Sequence, residues 1–106
     1  MAPVRAEALK GHLDALILAV LADEPLHGYA IIERLKQRSG GELSLPEGTV
    51  YPALHRLESG GLLSSSWSDG NRRRRVYRLT RRGQRELATR RGEWKSFTAV
   101  IEAVLA

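Results

Sequence analysis

The chain has 106 residues, no cysteine and a net charge of +5. This length suits one domain with a modest core and is short for two, and the lack of cysteine excludes disulfides and thiolate metal sites. No apolar run approaches the roughly 20 residues of a membrane span. The N-terminus lacks the apolar core of a secretion signal, so the expected location is the cytoplasm.

The charge is distributed unevenly along the chain. Residues 1–66 contain six Lys or Arg and eight Asp or Glu, whereas residues 67–106 contain eleven and four. The C-terminal part is therefore basic, which favours an acidic partner such as nucleic acid. The alternative, a basic protein without a nucleic-acid partner, stays open on composition alone.

Apolar periodicity predicts three helices in the first 60 residues. The first starts near Leu9 and ends around Asp23-Glu24-Pro25. The second runs from His27 to Arg38 and is followed by two glycines. The third begins around Pro46, a suitable first-turn residue, and ends at Gly60-Gly61. The core-facing side chains of the third helix are predicted to be Val50, Ala53, Leu54 and Leu57.

A two-stranded hairpin is predicted next. The segments LLSSSWS and RRVYRLT suit strands, and they flank Asp69-Gly70-Asn71, a strong turn signal. Strand alternation divides the arginines of positions 72–75 between two faces, with Arg73 and Arg75 on the face of Tyr77. The arginine run is thus predicted to be part of a folded hairpin and not a loose tail.

This order of elements predicts a mainly α fold with a small β-hairpin (α+β). We interpret it as a winged helix-turn-helix with a long C-terminal helix, for which Thr80 is the expected N-cap. Residues 1–80 are expected to form the DNA-binding domain and residues 81–106 a dimerisation helix, together one compact unit.

The outward side of the third helix and the arginine run supply the candidate DNA-binding residues. A helix in the major groove reads base edges, while nearby hydroxyl and basic groups hold phosphates. The candidates are Thr49, Tyr51, His55, Arg56, Asn71, Arg72, Arg73, Arg74 and Arg75. Glu47 and Glu58 are predicted on the same outward side. Exposed helices often carry such residues without a ligand, and this alternative is equally open from the helix alone.

The last helix carries apolar residues at three-, four- and seven-residue steps, which is typical of a coiled-coil seam. The predicted dimer interface comprises Leu87, Trp94, Phe97, Ile101, Val104 and Leu105. A homodimer is preferred over packing within one subunit, because it places two reading helices on a palindromic site. Trp94 near a two-fold axis suggests a slot for a planar aromatic ligand; alternatively, it fills the dimer core.

Three segments carry a specific combination of motifs: LDALILAVLADEPLHGYAIIERL, GTVYPALHRLESGGLL and RRRRVYRLTRRGQREL. They contain His27-Gly28-Tyr29, Tyr51-Pro52 and Tyr77-Arg78-Leu79-Thr80, in that order. In these residues the chain resembles the PadR family of bacterial transcriptional regulators, over roughly residues 9–105. Its single C-terminal helix is similar to that of the family's smaller subgroup.

The resemblance implies a homodimeric winged helix-turn-helix protein that usually represses transcription. Family members respond to phenolic acids, or to planar aromatic drugs held between paired tryptophans. By resemblance, Tyr51 matches the family's DNA-contacting tyrosine, and Arg72 to Arg75 fall in the wing. The stretch EWKSF resembles the one that bears the ligand-stacking tryptophan, here Trp94. The effector's identity is not implied.

Other classes of function find less support in the sequence. His12, His27 and His55 lie on separate predicted helices without metal-ligand spacing, and no Gly-rich phosphate loop or paired-carboxylate motif appears. We therefore expect no enzymatic activity, no metal and no cofactor. A basic RNA-binding protein would need no apolar seam on its last helix. A winged-helix module that binds another protein remains an alternative. Binding to duplex DNA would distinguish the main interpretation from this alternative.

Overall fold

A computed structural model of the chain describes residue 9 and residues 11–70 and 73–106. These residues form four helices and three strands in an α-β-α-α-β-β-α order. The elements are α1 (Leu13–Asp23), β1 (Leu26–His27), α2 (Gly28–Arg38), α3 (Glu47–Ser59), β2 (Leu63–Trp67), β3 (Arg75–Leu79) and α4 (Arg81–Leu105). The predicted fold class, a winged helix-turn-helix followed by a long helix, is confirmed.

The core lies where α1, α2 and α3 pack against one face of the sheet and the first turns of α4. The periodicity of α3 predicted its buried side correctly, since Val50, Ala53, Leu54 and Leu57 are all buried. Pro52 lies in the second turn of this helix. There the ring removes one hydrogen bond close to the helix N-terminus, and the helix continues to Ser59.

The sheet has three antiparallel strands in the order β1-β3-β2, whereas the sequence predicted a hairpin of two. The additional strand is only two residues long, and it pairs Leu26 with Tyr77 and His27 with Val76. His27 is therefore extended, and the second helix begins at Gly28 instead of His27. Two residues are too few to show any periodicity, so this strand left no signal in the sequence.

The junction between the sheet and α4 is fixed by Thr80, the predicted N-cap. Its hydroxyl oxygen accepts a hydrogen bond from the backbone N–H of Gly83 at 3.0 Å and donates to the carbonyl of Gly61 at 2.7 Å. Gly83 also packs so tightly against the carbonyl of Leu62 that a β-carbon at position 83 would overlap it. These contacts set the direction in which α4 leaves the domain.

Helix α4 has a buried beginning and an exposed end. Leu87 is 4% exposed and belongs to the core of its own subunit. The prediction of Leu87 in the dimer interface is therefore wrong, because this side chain is buried within its own subunit. The other predicted interface residues are exposed: Trp94, Phe97, Ile101, Val104 and Leu105, together with Val100.

Candidate nucleic-acid interface

The outer side of α3 presents most of the polar residues that the sequence predicted there. Thr49, Tyr51, His55 and Arg56 are exposed, while the opposite side of the helix is buried. The prediction for Glu58 is wrong, since this residue is half-buried and its carboxylate accepts a hydrogen bond from the Ser65 hydroxyl of β2. Glu58 therefore faces the wing.

Tyr51 lies across the first residue of α2. A β-carbon placed on Gly28 would be 2.5 Å from the Tyr51 phenol oxygen and 2.7 Å from a ring carbon. Only glycine leaves room for the ring at this position. Gly28 thus lets the Tyr51 ring of α3 lie against the N-terminus of α2, with 41% of the tyrosine still exposed.

A concave cavity of about 820 Å³ joins this tyrosine to the wing. Its lining carries four arginines against one glutamate, so it is positively charged. Arg34 is neutralised by Glu24, with 2.8 Å between Nη2 and Oε1, which leaves most of the excess charge on the wing. The wing and α2 residues that line the cavity with Tyr51 include His27, Arg34, Trp67, Arg73, Arg74 and Arg75.

The three described wing arginines have different environments. Arg73 and Arg75 both lie over the ring of Trp67, with guanidinium carbons 4.9 Å and 5.6 Å from its centroid. Arg75 also donates to the Ser65 hydroxyl at 2.8 Å and lies 3.7 Å from the Glu58 carboxylate. Arg75 is thus held on the protein surface, whereas Arg73 and Arg74 are in no ion pair with any described residue.

Arg74 points away from Trp67 and towards α2. Its Nη1 is 2.9 Å from Nε2 of His27, and the other ring nitrogen, Nδ1, accepts a hydrogen bond from the Ala30 backbone N–H at 3.3 Å. Desolvation, and secondarily the Arg74 guanidinium, lower the pKa of His27. The imidazole is therefore neutral at pH 7.

The remaining predicted residues lie elsewhere or outside the described part. Arg56 pairs with Asp14 of α1, with 2.6 Å between Nη2 and Oδ1, and it does not line the cavity; nor do Thr49 and His55. Asn71 and Arg72 lie outside the residues that the structure describes.

Comparison with known proteins identifies the family. The model of the family described as "Transcriptional regulator PadR-like family" matches residues 17–89, which include α2, α3 and the whole sheet. The chain belongs to this PadR-like family. Its curated relatives include a transcriptional regulator of Mycobacterium tuberculosis, 47% identical over 73 residues. The match covers 67% of this chain and 64% of that relative, so the chain spans less than two thirds of its length.

Solved structures agree with the family assignment over nearly the whole chain. A PadR family transcription regulator from Clostridium difficile is 33% identical, with a TM-score of 0.82 over 91% of this chain and 100% of that one. A transcriptional regulator from Clostridium thermocellum is 28% identical, with a TM-score of 0.86 over 92% and 96%. The PadR-like family and these relatives are regulators of transcription, which is a class of DNA-binding proteins and not of enzymes.

Three of the cavity-lining residues named above were missed by the sequence-based prediction, namely His27, Arg34 and Trp67. His27 was predicted to be helical, whereas it is the N-cap of α2, and histidine is not among the preferred N-cap residues. Trp67 ends a strand, and its contacts with Arg73 and Arg75 depend on the hairpin pairing Trp67 with Arg75. Only the sheet register brings these residues together.

A second concave surface lies between α1 and α4, on the part of the PadR-like chain that carries Trp94. The groove has a volume of about 720 Å³ and is lined mainly by apolar side chains, including Leu16, Leu87 and Phe97. The Trp94 ring meets His12 edge-on, with centroids 5.2 Å apart, and Phe97 at 5.9 Å. Trp94 remains 53% exposed, so within one subunit it is a wall of the groove and not a core residue.

The described residues reveal neither a metal site nor a membrane span. No group of three or more His, Asp or Glu side chains among them is arranged to hold a metal ion. No helix in this part of the chain has the combined length and hydropathy needed to cross a membrane.

Proposed function

We propose that this PadR-like protein is a ligand-responsive repressor that binds a palindromic operator as a homodimer. The observation that carries the DNA-binding part is the convergence of α3, the N-terminus of α2 and the wing arginines around one positively charged cavity. A concave basic surface beside an exposed helix suits a duplex, which offers phosphates on either side of a groove. Acting on DNA, such a regulator would work in the bacterial cytoplasm.

Each part of this surface has a distinct proposed role. Thr49, Tyr51 and His55 on the exposed side of α3 contact the major groove and its adjacent phosphates. Arg73 and Arg74 bind phosphates, because both are exposed and form no ion pair with a described residue. Asn71 and Arg72 are proposed to extend this contact from the wing. Arg56 is proposed to contribute less, because Asp14 already compensates its charge.

The proposed dimer forms through the exposed end of α4. Trp94, Phe97, Val100, Ile101, Val104 and Leu105 are all more than 40% exposed in one subunit. A contiguous apolar surface of this extent favours association in water. In this proposal residues 1–80 bind DNA and residues 81–106 dimerise. Two-fold pairing of α4 would present two copies of α3 to two half-sites.

A planar aromatic effector is proposed for the groove at Trp94. The support is the apolar lining and the exposed indole face, which suit stacking with a flat ligand. The helices α1 and α4 form both the groove and the surroundings of the proposed dimer contact. A ligand in the groove would therefore favour one relative position of the two subunits, and with it one distance between their α3 helices.

Comparison of the protein's affinities for different nucleic acids tests this proposal. The protein is titrated into labelled duplex DNA, single-stranded DNA and duplex RNA of one sequence, at several salt concentrations, and fluorescence anisotropy is followed. Preferential binding to duplex DNA with a steep salt dependence is expected. Equal binding to RNA would indicate a general basic RNA-binding protein, and no binding to any of them would indicate a module for another protein.

A further inference from the structure

We propose that His27 and Arg74 together form a binding site for one phosphate group at the mouth of the cavity. This proposal rests on the proposed DNA-binding function, and it assigns the phosphate to the DNA backbone. The site would join the N-terminus of α2 to the wing. It is separate from Thr49 and His55 of α3, which do not line the cavity.

The geometry of His27 leaves the pair in conflict when no ligand is bound. With its proton on Nε2, the neutral imidazole accepts the Ala30 N–H at Nδ1, 3.3 Å away. Nε2 lies 2.9 Å from Nη1 of Arg74, and a guanidinium nitrogen can only donate. In this tautomer two N–H groups point at each other with no acceptor between them.

No protonation state of the ring satisfies both the Arg74 contact and the Ala30 cap. A proton on Nδ1 would let Nε2 accept from Arg74, but the cap of α2 at Ala30 would be lost. A doubly protonated ring would lose both interactions and place two cations in contact. An anionic oxygen that accepts from Nε2–H and from Arg74 satisfies both groups and leaves the cap intact.

The surroundings of the pair favour an anion of this kind. The cavity beside it has an excess of arginine over acidic side chains. The first backbone N–H groups of α2, an 11-residue helix, have no partner within the helix and point towards the same end. The Tyr51 hydroxyl lies against Gly28 at this helix start, so a third donor is within the same region. A tetrahedral phosphate, with several acceptor oxygens, matches such a set of donors.

The matched variants are His27→Asn and Arg74→Ala, with Arg85→Ala as the control. Asparagine is a favoured N-cap residue, so His27→Asn retains the fold while it removes the Nε2–H donor. Arg85 is exposed on α4 and does not line the cavity. Arg85→Ala therefore removes one positive charge, as Arg74→Ala does, but away from the proposed phosphate site. The melting temperature of each variant shows whether it is folded.

The expected result is a loss of duplex affinity of about tenfold for each site variant and less than about twofold for the control. Arg74→Ala should also reduce the log–log salt slope by about 0.9, because one phosphate loses its counter-charge. His27→Asn should leave the slope unchanged, since it removes a neutral donor. The double variant should lose less than the product of the two single losses, because both groups hold one phosphate.

Titration with inorganic phosphate, followed by NMR of the imidazole rings, separates this proposal from the proposed function. Phosphate should shift the His27 ring resonances in the wild-type protein but not in Arg74→Ala, and it should leave His12 unaffected. If the wild type binds duplex DNA while both site variants bind as tightly as Arg85→Ala, the site is refuted and the function stands. If neither the wild type nor any variant binds DNA, the proposed function fails. A phosphate-induced shift of the His27 resonances that depends on Arg74 would then still support the site, and the absence of this shift would refute the site.

Discussion

Arg56 of α3 and Asp14 of α1 form an ion pair across 42 residues of sequence, with 2.6 Å between Nη2 and Oδ1. Their side chains are 61% and 26% exposed. The pair joins the proposed reading helix to α1, which also lines the groove at Trp94 through Ala15 and Leu16. The ion pair therefore connects α3 to the helix that forms one side of the groove.

This ion pair predicts that Arg56 contributes little to DNA affinity in the wild-type protein. Arg56→Ala should lower duplex affinity by less than about twofold, because Asp14 already neutralises the guanidinium. In an Asp14→Asn background the same change should lower affinity several-fold and reduce the salt slope by about 0.9, since the arginine is then free for phosphate. Asp23→Asn is the control background, because Asp23 pairs with Arg38 and not with α3. Equal effects of Arg56→Ala in the Asp14→Asn and Asp23→Asn backgrounds would contradict this account.

Replacing Arg72 to Arg75 together with alanine should weaken binding to all duplexes. The salt slope should fall by about two to three, which corresponds to two or three phosphates at about 0.9 each, and not by the roughly 3.6 of four phosphates, because Arg75 is held by Ser65 and Glu58. The slope is measured from affinities between low and physiological salt. An unchanged slope would show that the wing arginines do not contact phosphate.

The buried start and the exposed end of α4 should respond differently to substitution. Ile101→Glu should convert a dimer into a folded monomer, because Ile101 is 41% exposed in one subunit and would face the partner. Leu87→Ala should lower the free energy of unfolding by about 2–5 kcal/mol through loss of core packing. Sedimentation at micromolar concentration and thermal unfolding measure the two effects. A wild-type monomer in sedimentation would rule out the dimer.

A planar aromatic compound that occupies the groove should quench Trp94 fluorescence and lower operator affinity. The chain has two tryptophans, and Trp67 lies on the wing beneath Arg73 and Arg75. Trp94→Phe should therefore abolish the quenching, whereas Trp67→Phe should preserve it. Quenching that persists in Trp94→Phe would assign the signal to Trp67 and refute the pocket.

The sequence predicted those features that depend on local patterns. The bounds of α3, its four buried residues, the Thr80 cap and both hairpin strands followed from periodicity and from residues that favour caps or turns. Features that depend on distant contacts were missed. Leu87 fits a coiled-coil seam by spacing, yet it is buried in the core of its own subunit. His27 meets Arg74 across 47 residues, a contact that no local pattern can encode.

The most direct test of the central claim is selection of the sequences that the full chain binds from a pool of random duplex DNA. The account predicts enrichment of an inverted repeat, with half-site centres about one helical turn apart, since a two-fold dimer presents two α3 helices. Enrichment of a sequence without internal symmetry would contradict the dimeric mode of binding. No enrichment at all would contradict sequence-specific recognition by this protein.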